Sequence, residues 1–144
     1  MTTKTSANAW EDALIAEWRA NDGHVTSGPL AGHPLLLMTS TGARSGEPRR
    51  VILTYARDDD AYLVAGTAGG SQTDPAWVRN VEANPQVTLE VGNTSFAATA
   101  GVHLDGAERD RLWDIQVRTN PWFGEYPAKV GRTIPMVRLT RTDG

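Results

Sequence analysis

Two short turns, each between runs of alternating residues, constrain this chain more than any other feature. Gln86–Val91 and Thr94–His103 meet at Gly92-Asn93, and residues 49–57 and 61–67 flank Asp58, Asp59 and Asp60. The runs are rich in β-branched and aromatic residues, and the turns are glycine, asparagine and aspartate, which predicts two β-hairpins. Strands joined directly by tight turns run antiparallel, so a doubly wound parallel sheet, which needs a crossover helix between strands, is excluded. A buried strand over 35–39 and a closing strand over 134–140 bring the expected number to six. The expected fold class is α+β: a mainly antiparallel six-stranded sheet, curled into a small barrel, with flanking helices.

The helices carry their own signals. Asn8 and Glu11 resemble a capping box, and Trp10, Leu14 and Trp18 form an apolar stripe at helical spacing that ends near Arg19. Residues 74–85, DPAWVRNVEANP, predict a short helix with Asp74 as N-cap, Pro75 in the first turn and Pro85 as the stop. A further helix opens at Asp105 and Glu108 and turns Leu112, Trp113 and Val117 towards the core. Residues 21–34, rich in glycine and proline, predict an irregular loop, and the first eight residues are expected to be disordered.

At 144 residues the chain suits one domain over 1–144, large enough to bury a core without staples. It has no cysteine, which removes disulfides, thiolate metal sites and thiol nucleophiles together. No apolar run approaches the length of a membrane span and the N-terminus lacks a secretory core, so a cytoplasmic protein is expected. A net charge of -3 gives no general attraction for nucleic acid. His24, His33 and His103 are too scattered for a metal site, and no G-x-S-x-G elbow supports nucleophilic hydrolysis. Successive aspartates on a strand diverge, so Asp58 to Asp60 read as a solvated turn rather than a cation site.

Against that acidic background, residues 39–50, TSTGARSGEPRR, place Arg44, Arg49 and Arg50 around Gly42 and Gly46. The glycines allow backbone N–H groups to turn outward as an anion nest, and the arginines can add charge-assisted contacts to phosphate or carboxylate. A solvated Ser-Gly hairpin explains the same residues. Residues 65–70, AGTAGG, precede the Asp74 helix and form either a ligand cradle or a plain connection. They match neither a P-loop nor a dinucleotide fingerprint. Trp77, Arg79, Trp122, Phe123 and Tyr126 are core or ligand wall, and the Tyr126 hydroxyl can also donate a proton.

Taken in order, LLLMTSTGARSGEPRR, YLVAGTAGG, DPAWVRNVEANPQVTLEV and FGEYPAKVGRTIPMV resemble the deazaflavin-dependent nitroreductase family, actinobacterial proteins that use coenzyme F420. The resemblance covers about residues 22–139. It implies a split β-barrel in which Ala43, Arg44, Ser45, Arg49, Arg50, Val51 and Ile52 grip the phosphate and glutamate tail of the cofactor. It implies further that the deazaflavin ring lies against Ala65, Gly66, Thr67 and Ala68 and near Ala76, Trp77, Val78, Arg79 and Asn80. Tyr126 and Thr67 are the expected catalytic residues, placing or protonating an oxyanion on an electron-poor acceptor such as a quinone, nitroaromatic or activated enone. The family often has a basic residue at position 43, a proline at 52 and a lysine at 68. Here these are Ala43, Ile52 and Ala68, so two positive charges are absent and Arg50 is expected to compensate in part. A flavin mononucleotide enzyme on the same barrel, or a protein that stores F420 without chemistry, would share much of this pattern. The fold leaves room for a homodimer, and Trp10 and Trp18 for a peripheral membrane contact.

Overall fold

The computed structural model describes residues 9–25, 31–67 and 73–142. The first eight residues and Ala68 lie outside them. The elements are α1 (Ala9–Ala20), β1 (Leu35–Thr41), β2 (Pro48–Thr54), β3 (Ala56–Asp58), β4 (Ala61–Ala65), α2 (Ala76–Ala83), β5 (Gln86–Val91), β6 (Thr94–His103), α3 (Gly106–Thr119), a 3-10 turn (Pro121–Glu125), α4 (Tyr126–Lys129) and β7 (Met136–Arg141). The strands form one sheet in the order β2-β1-β5-β6-β7-β4-β3, with every neighbouring pair antiparallel. Both predicted hairpins are present. No described helix is long and apolar enough to cross a membrane.

The sheet has seven strands, because the run expected as one strand over 49–57 breaks at Tyr55. Tyr55 takes its backbone out of the ladder in both directions. Its N–H donates to the Pro34 carbonyl at 3.0 Å, and its carbonyl accepts from Asn120 Nδ2 at 3.1 Å. Every polar backbone group must find a partner, and here the partners come from outside the sheet. The halves of the run, β2 and β3, form opposite edges of the sheet. One residue joins those two edges, so the sheet must curl into a barrel that is split along the seam between them.

The alternation of each strand then sorts side chains into an inside and an outside. Leu36, Met38, Val64, Leu89, Phe96, Ala98, Val137 and Leu139 fill the interior, which α2 plugs with Trp77, Val78 and Val81. Outside β1 and β2, Leu35, Leu37 and Ile52 pack under Leu14, Ile15 and Trp18 of α1. Outside β3 and β4, Ala56, Leu63 and Ala65 pack under Leu112 and Phe123. On α3 the buried row continues through Gln116, which is fully buried, into Asn120, while Trp113 and Val117 are only half-buried.

The Asp58 turn is more than a solvated connection. The Asp58 carboxylate accepts from Arg111 Nη2 at 2.9 Å and from Arg138, tying β3 to α3 and β7. The hydrogen bond from Arg111 is the largest cause holding its carboxyl below the ordinary range.

Asn120 is 1% exposed and donates to the carbonyl of the half-buried Tyr55, so its truncation would remove that carbonyl's donor. Asn120→Ala is therefore expected to lower unfolding free energy by about 1–3 kcal/mol. Denaturant unfolding of both proteins measures this, and an unchanged midpoint would show that the corner does not need that bond.

Candidate active site

Three segments gather at the end of the barrel plugged by α2. The first is the basic loop between β1 and β2. Gly42 N–H donates to the Glu47 carbonyl at 2.8 Å and Gly46 N–H to the Gly42 carbonyl at 3.0 Å, while Gly46 takes the left-handed φ of 72° that closes the turn. Ser45 Oγ accepts from Glu47 N–H at 3.1 Å and from Arg49 Nη2 at 3.3 Å. Ala43 N–H donates to Asn80 Oδ1 on α2 at 2.9 Å. These backbone donors are thus spent within the protein. The expected nest is not built from Gly42, Ala43 and Gly46, and the positive character of the loop comes from its arginine side chains.

Those arginines divide between two faces. Arg49 shares the face of Val51, which packs on the barrel interior, and it folds back onto the loop. Arg50 shares the face of Ile52, under α1, with Nη2 3.9 Å from Asp12 Oδ1 and Nε buried without a protein partner. Arg44 is exposed and, among the described residues, makes no ion pair. Arg49, at the start of β2, therefore turns back to the loop that carries Arg44, while Arg50 and Ile52 lie on the opposite side of β2.

The second segment is the exit of β4. Gly66 N–H donates to the Pro135 carbonyl at 2.9 Å, and a Cβ on Gly66 would stand 2.9 Å from both Pro135 Cγ and Val78 Cγ2. Only a bare backbone fits between these neighbours. Thr67 is half-buried and its carbonyl accepts from Arg132 Nη2 at 3.1 Å.

The third is α2 itself. Trp77 and Val78 belong to the barrel core, Ala76 and Arg79 are exposed, and Asn80 clamps the basic loop. Asp74 is not the helix cap: Pro75 holds the N-cap position with no side-chain hydrogen bond, and Asp74 Oδ1 accepts from Arg132 Nη1 at 2.5 Å. Tyr126 opens α4, half-buried, edge-on to Phe123 at 5.4 Å and packed in the cluster that contains Ala65.

Sequence reasoning missed Arg132 and Ser40. Arg132 lies within FGEYPAKVGRTIPMV as a charge next to an apolar strand entrance, which was a usable signal. Ser40 Oγ is buried without a protein partner on the interior face of β1, and nothing local marked it. A separate groove of about 210 Å³, lined by Trp18, Arg19, Glu90 and the 92–95 turn, shares no residue with these segments.

A split barrel of antiparallel strands, with a basic loop and a short helix closing one end, defines the class of protein. A family model described as F420H(2)-dependent quinone reductase matches residues 12–141, and the chain belongs to that family. It is 38% identical over 128 residues to an F420H(2)-dependent quinone reductase of Mycobacterium tuberculosis, covering 88% of this chain and 86% of the relative. Among solved structures, an F420-H2 dependent reductase, FDR-A, superposes with a TM-score of 0.66 at 36% identity, over 74% of this chain and 93% of that one. A chain solved as a domain-swapped dimer superposes with a TM-score of 0.67 at 32% identity, over 90% and 94%. The protein is accordingly an F420-dependent oxidoreductase with the split-barrel fold, and the family's hydride donor is the reduced cofactor. The residues present suit such a group: exposed arginine on the loop, a buried hydroxyl at Ser40 without a protein partner, and bare backbone at Gly66.

Gly66→Ala would force Val78 or Pro135 to move, and overpacking of this kind costs about 1–3 kcal/mol. The expected outcome is a lower melting temperature together with weaker F420 binding. A variant as stable as the parent would show that the close approach of β4 to α2 is not required.

Proposed function

We propose that this protein reduces quinones with hydride taken from reduced coenzyme F420, and that nitroaromatics and activated enones are accepted by the same site. The observation that carries the reading is the position of α2. Asn80 holds the basic loop and Val78 abuts Gly66, while Asp74, just before the helix, reaches Arg132, so α2 and its entry join the basic loop, the β4 exit and the Arg132 segment. Membership of the quinone reductase family and the M. tuberculosis relative support the acceptor class.

Arg44 and Arg49 would hold the phosphate and the glutamate tail by charge-assisted hydrogen bonds, with Ser45 fixing the Arg49 fork. Arg50, behind β2, would add a longer-range attraction. Ala65, Gly66 and Thr67 would present backbone to the planar ring, alongside Ala76 and Asn80. When bound, the reduced cofactor supplies a hydride from its ring carbon, so the chain has to orient two planar molecules and exclude water. The Tyr126 hydroxyl and Thr67 Oγ1 would donate hydrogen bonds to the acceptor oxygen as negative charge develops there. Quinones, nitroaromatics and enones all place such an oxygen on an electron-poor plane. The reading takes residues 1–144 as one cytoplasmic domain and includes a homodimer, in keeping with the relative solved as a domain-swapped dimer.

A fluorescence titration with F420, run beside flavin mononucleotide at several salt concentrations, tests the cofactor. Saturable, salt-sensitive binding of F420 is expected, weakened roughly tenfold or more in the Arg44→Gln, Arg49→Gln double variant with a shallower salt dependence. Tyr126→Phe is expected to lower kcat with menadione while leaving F420 affinity unchanged. Tighter binding of flavin mononucleotide would contradict the cofactor assignment. Binding without turnover across quinones, nitroaromatics and enones would make the protein a store rather than an enzyme.

A further inference from the structure

We infer that Arg132 is a positioning residue for the reductase site, a strap that fixes the two ends of the β4–α2 connection and sets the local charge; its role in turnover rests on the F420 reading above. Its guanidinium reaches Thr67 O through Nη2 at 3.1 Å and Asp74 Oδ1 through Nη1 at 2.5 Å. Thr67 follows β4 and Asp74 precedes α2, so a single planar fork spans the connection from one end to the other. The two terminal nitrogens of a guanidinium are held rigidly apart, so two acceptors bound to them are held at a set separation.

The strap is anchored at its own root. Two residues on, the buried Ile134 offers its carbonyl to Arg109 Nε at 2.9 Å, and Pro135 accepts the Gly66 N–H at 2.9 Å. Two residues back, Val130 is buried and its N–H donates to the Tyr126 carbonyl at 3.1 Å. The segment that carries Arg132 is therefore tied on one side to the proposed proton donor and on the other to the strand exit proposed to face the ring. The Arg132 side chain is only 14% exposed, so the Coulomb attraction to Asp74 is less screened than in open solvent, and breaking the pair would leave a partly buried charge without its partner.

The pairing also has an electrostatic consequence. Asp74 stands at the foot of α2, and an unpaired carboxylate there would oppose an anionic cofactor. Arg132 offsets that charge where it arises, by direct pairing with the carboxylate. Lysine would keep the charge but not the fork, so a lysine at this position should restore the electrostatics and not the geometry.

The test uses Arg132→Met, Arg132→Lys, Asp74→Asn and the Arg132→Met, Asp74→Asn double variant. In cofactor-free protein, amide hydrogen exchange is expected to quicken in Arg132→Met at Gly66, Thr67 and the first turn of α2, with the remaining strands unchanged. With F420 and menadione, Arg132→Met is expected to weaken F420 binding and lower kcat by about tenfold to a hundredfold, with the menadione KM unchanged. Arg132→Lys should recover part of the affinity but little of kcat, and the double variant should lose no more kcat than Arg132→Met. Wild-type exchange and kinetics in Arg132→Met, or full rescue by lysine, would overturn the proposal. Should Arg132→Met fail to fold, Arg132→Lys carries the same test, because a split between affinity and kcat is expected only of a lost fork. Quickened exchange in Arg132→Met beside a wild type that does not bind F420 would support the strap and overturn the cofactor reading instead.

Discussion

The molecule depends on the one residue at which a strand stops being a strand. Tyr55 gives its N–H to Pro34 and its carbonyl to Asn120, and the chain on either side of it becomes the two outer strands of a single sheet. A sheet whose edges are joined by one residue has to close on itself. Closure creates an inside, the inside needs a plug, and α2 supplies it with Trp77, Val78 and Val81. The position of α2, and with it the whole site, follows from a corner at Tyr55. That corner is covered by the α3 and 3-10 region through Asn120 rather than by anything in the site itself.

Once α2 is seated, it serves as the common wall. Its buried face belongs to the barrel core, while Asn80 and the residues before the helix reach the basic loop and Arg132. The same short element thus couples the core to the proposed cofactor loop: a shift that loosened Val78 in the core would also move the clamp on Ala43. The pleat of β2 adds a second constraint. Adjacent residues of a strand face opposite ways, so Arg49 serves the loop while Arg50 is committed to the side of α1.

Much of this was legible in the sequence, and the misses have physical reasons. The hairpins were readable because turn chemistry is local, and the antiparallel fold class followed from them. The break at Tyr55 was not readable, because residues 49–57 contain no glycine and only β-compatible residues; the partners that bend the chain, Pro34 and Asn120, lie far away along it. Asp74 looked like a helix cap because the local Asp-Pro signal is real, yet a guanidinium 58 residues away takes the carboxylate. The anion nest was read from the freedom of Gly42 and Gly46, but freedom does not say where N–H groups point, and here they close the turn. Among the site residues, the separation of Arg50 from Arg49 was available from strand alternation alone. The family resemblance, carried by ordered motifs rather than any single one, brought the loop, the β4 exit and α2 into one expectation.

The most direct measurement is a backbone amide NMR titration of the isotope-labelled protein with F420, following each resonance. The account predicts shifts concentrated at residues 42–49, at Ala65, Gly66 and Thr67, at residues 76–80 and at Tyr126, with the outer face of α1 unmoved. Shifts confined instead to the groove of Trp18, Arg19, Glu90 and Ser95, or no saturable shifts at all, would contradict it.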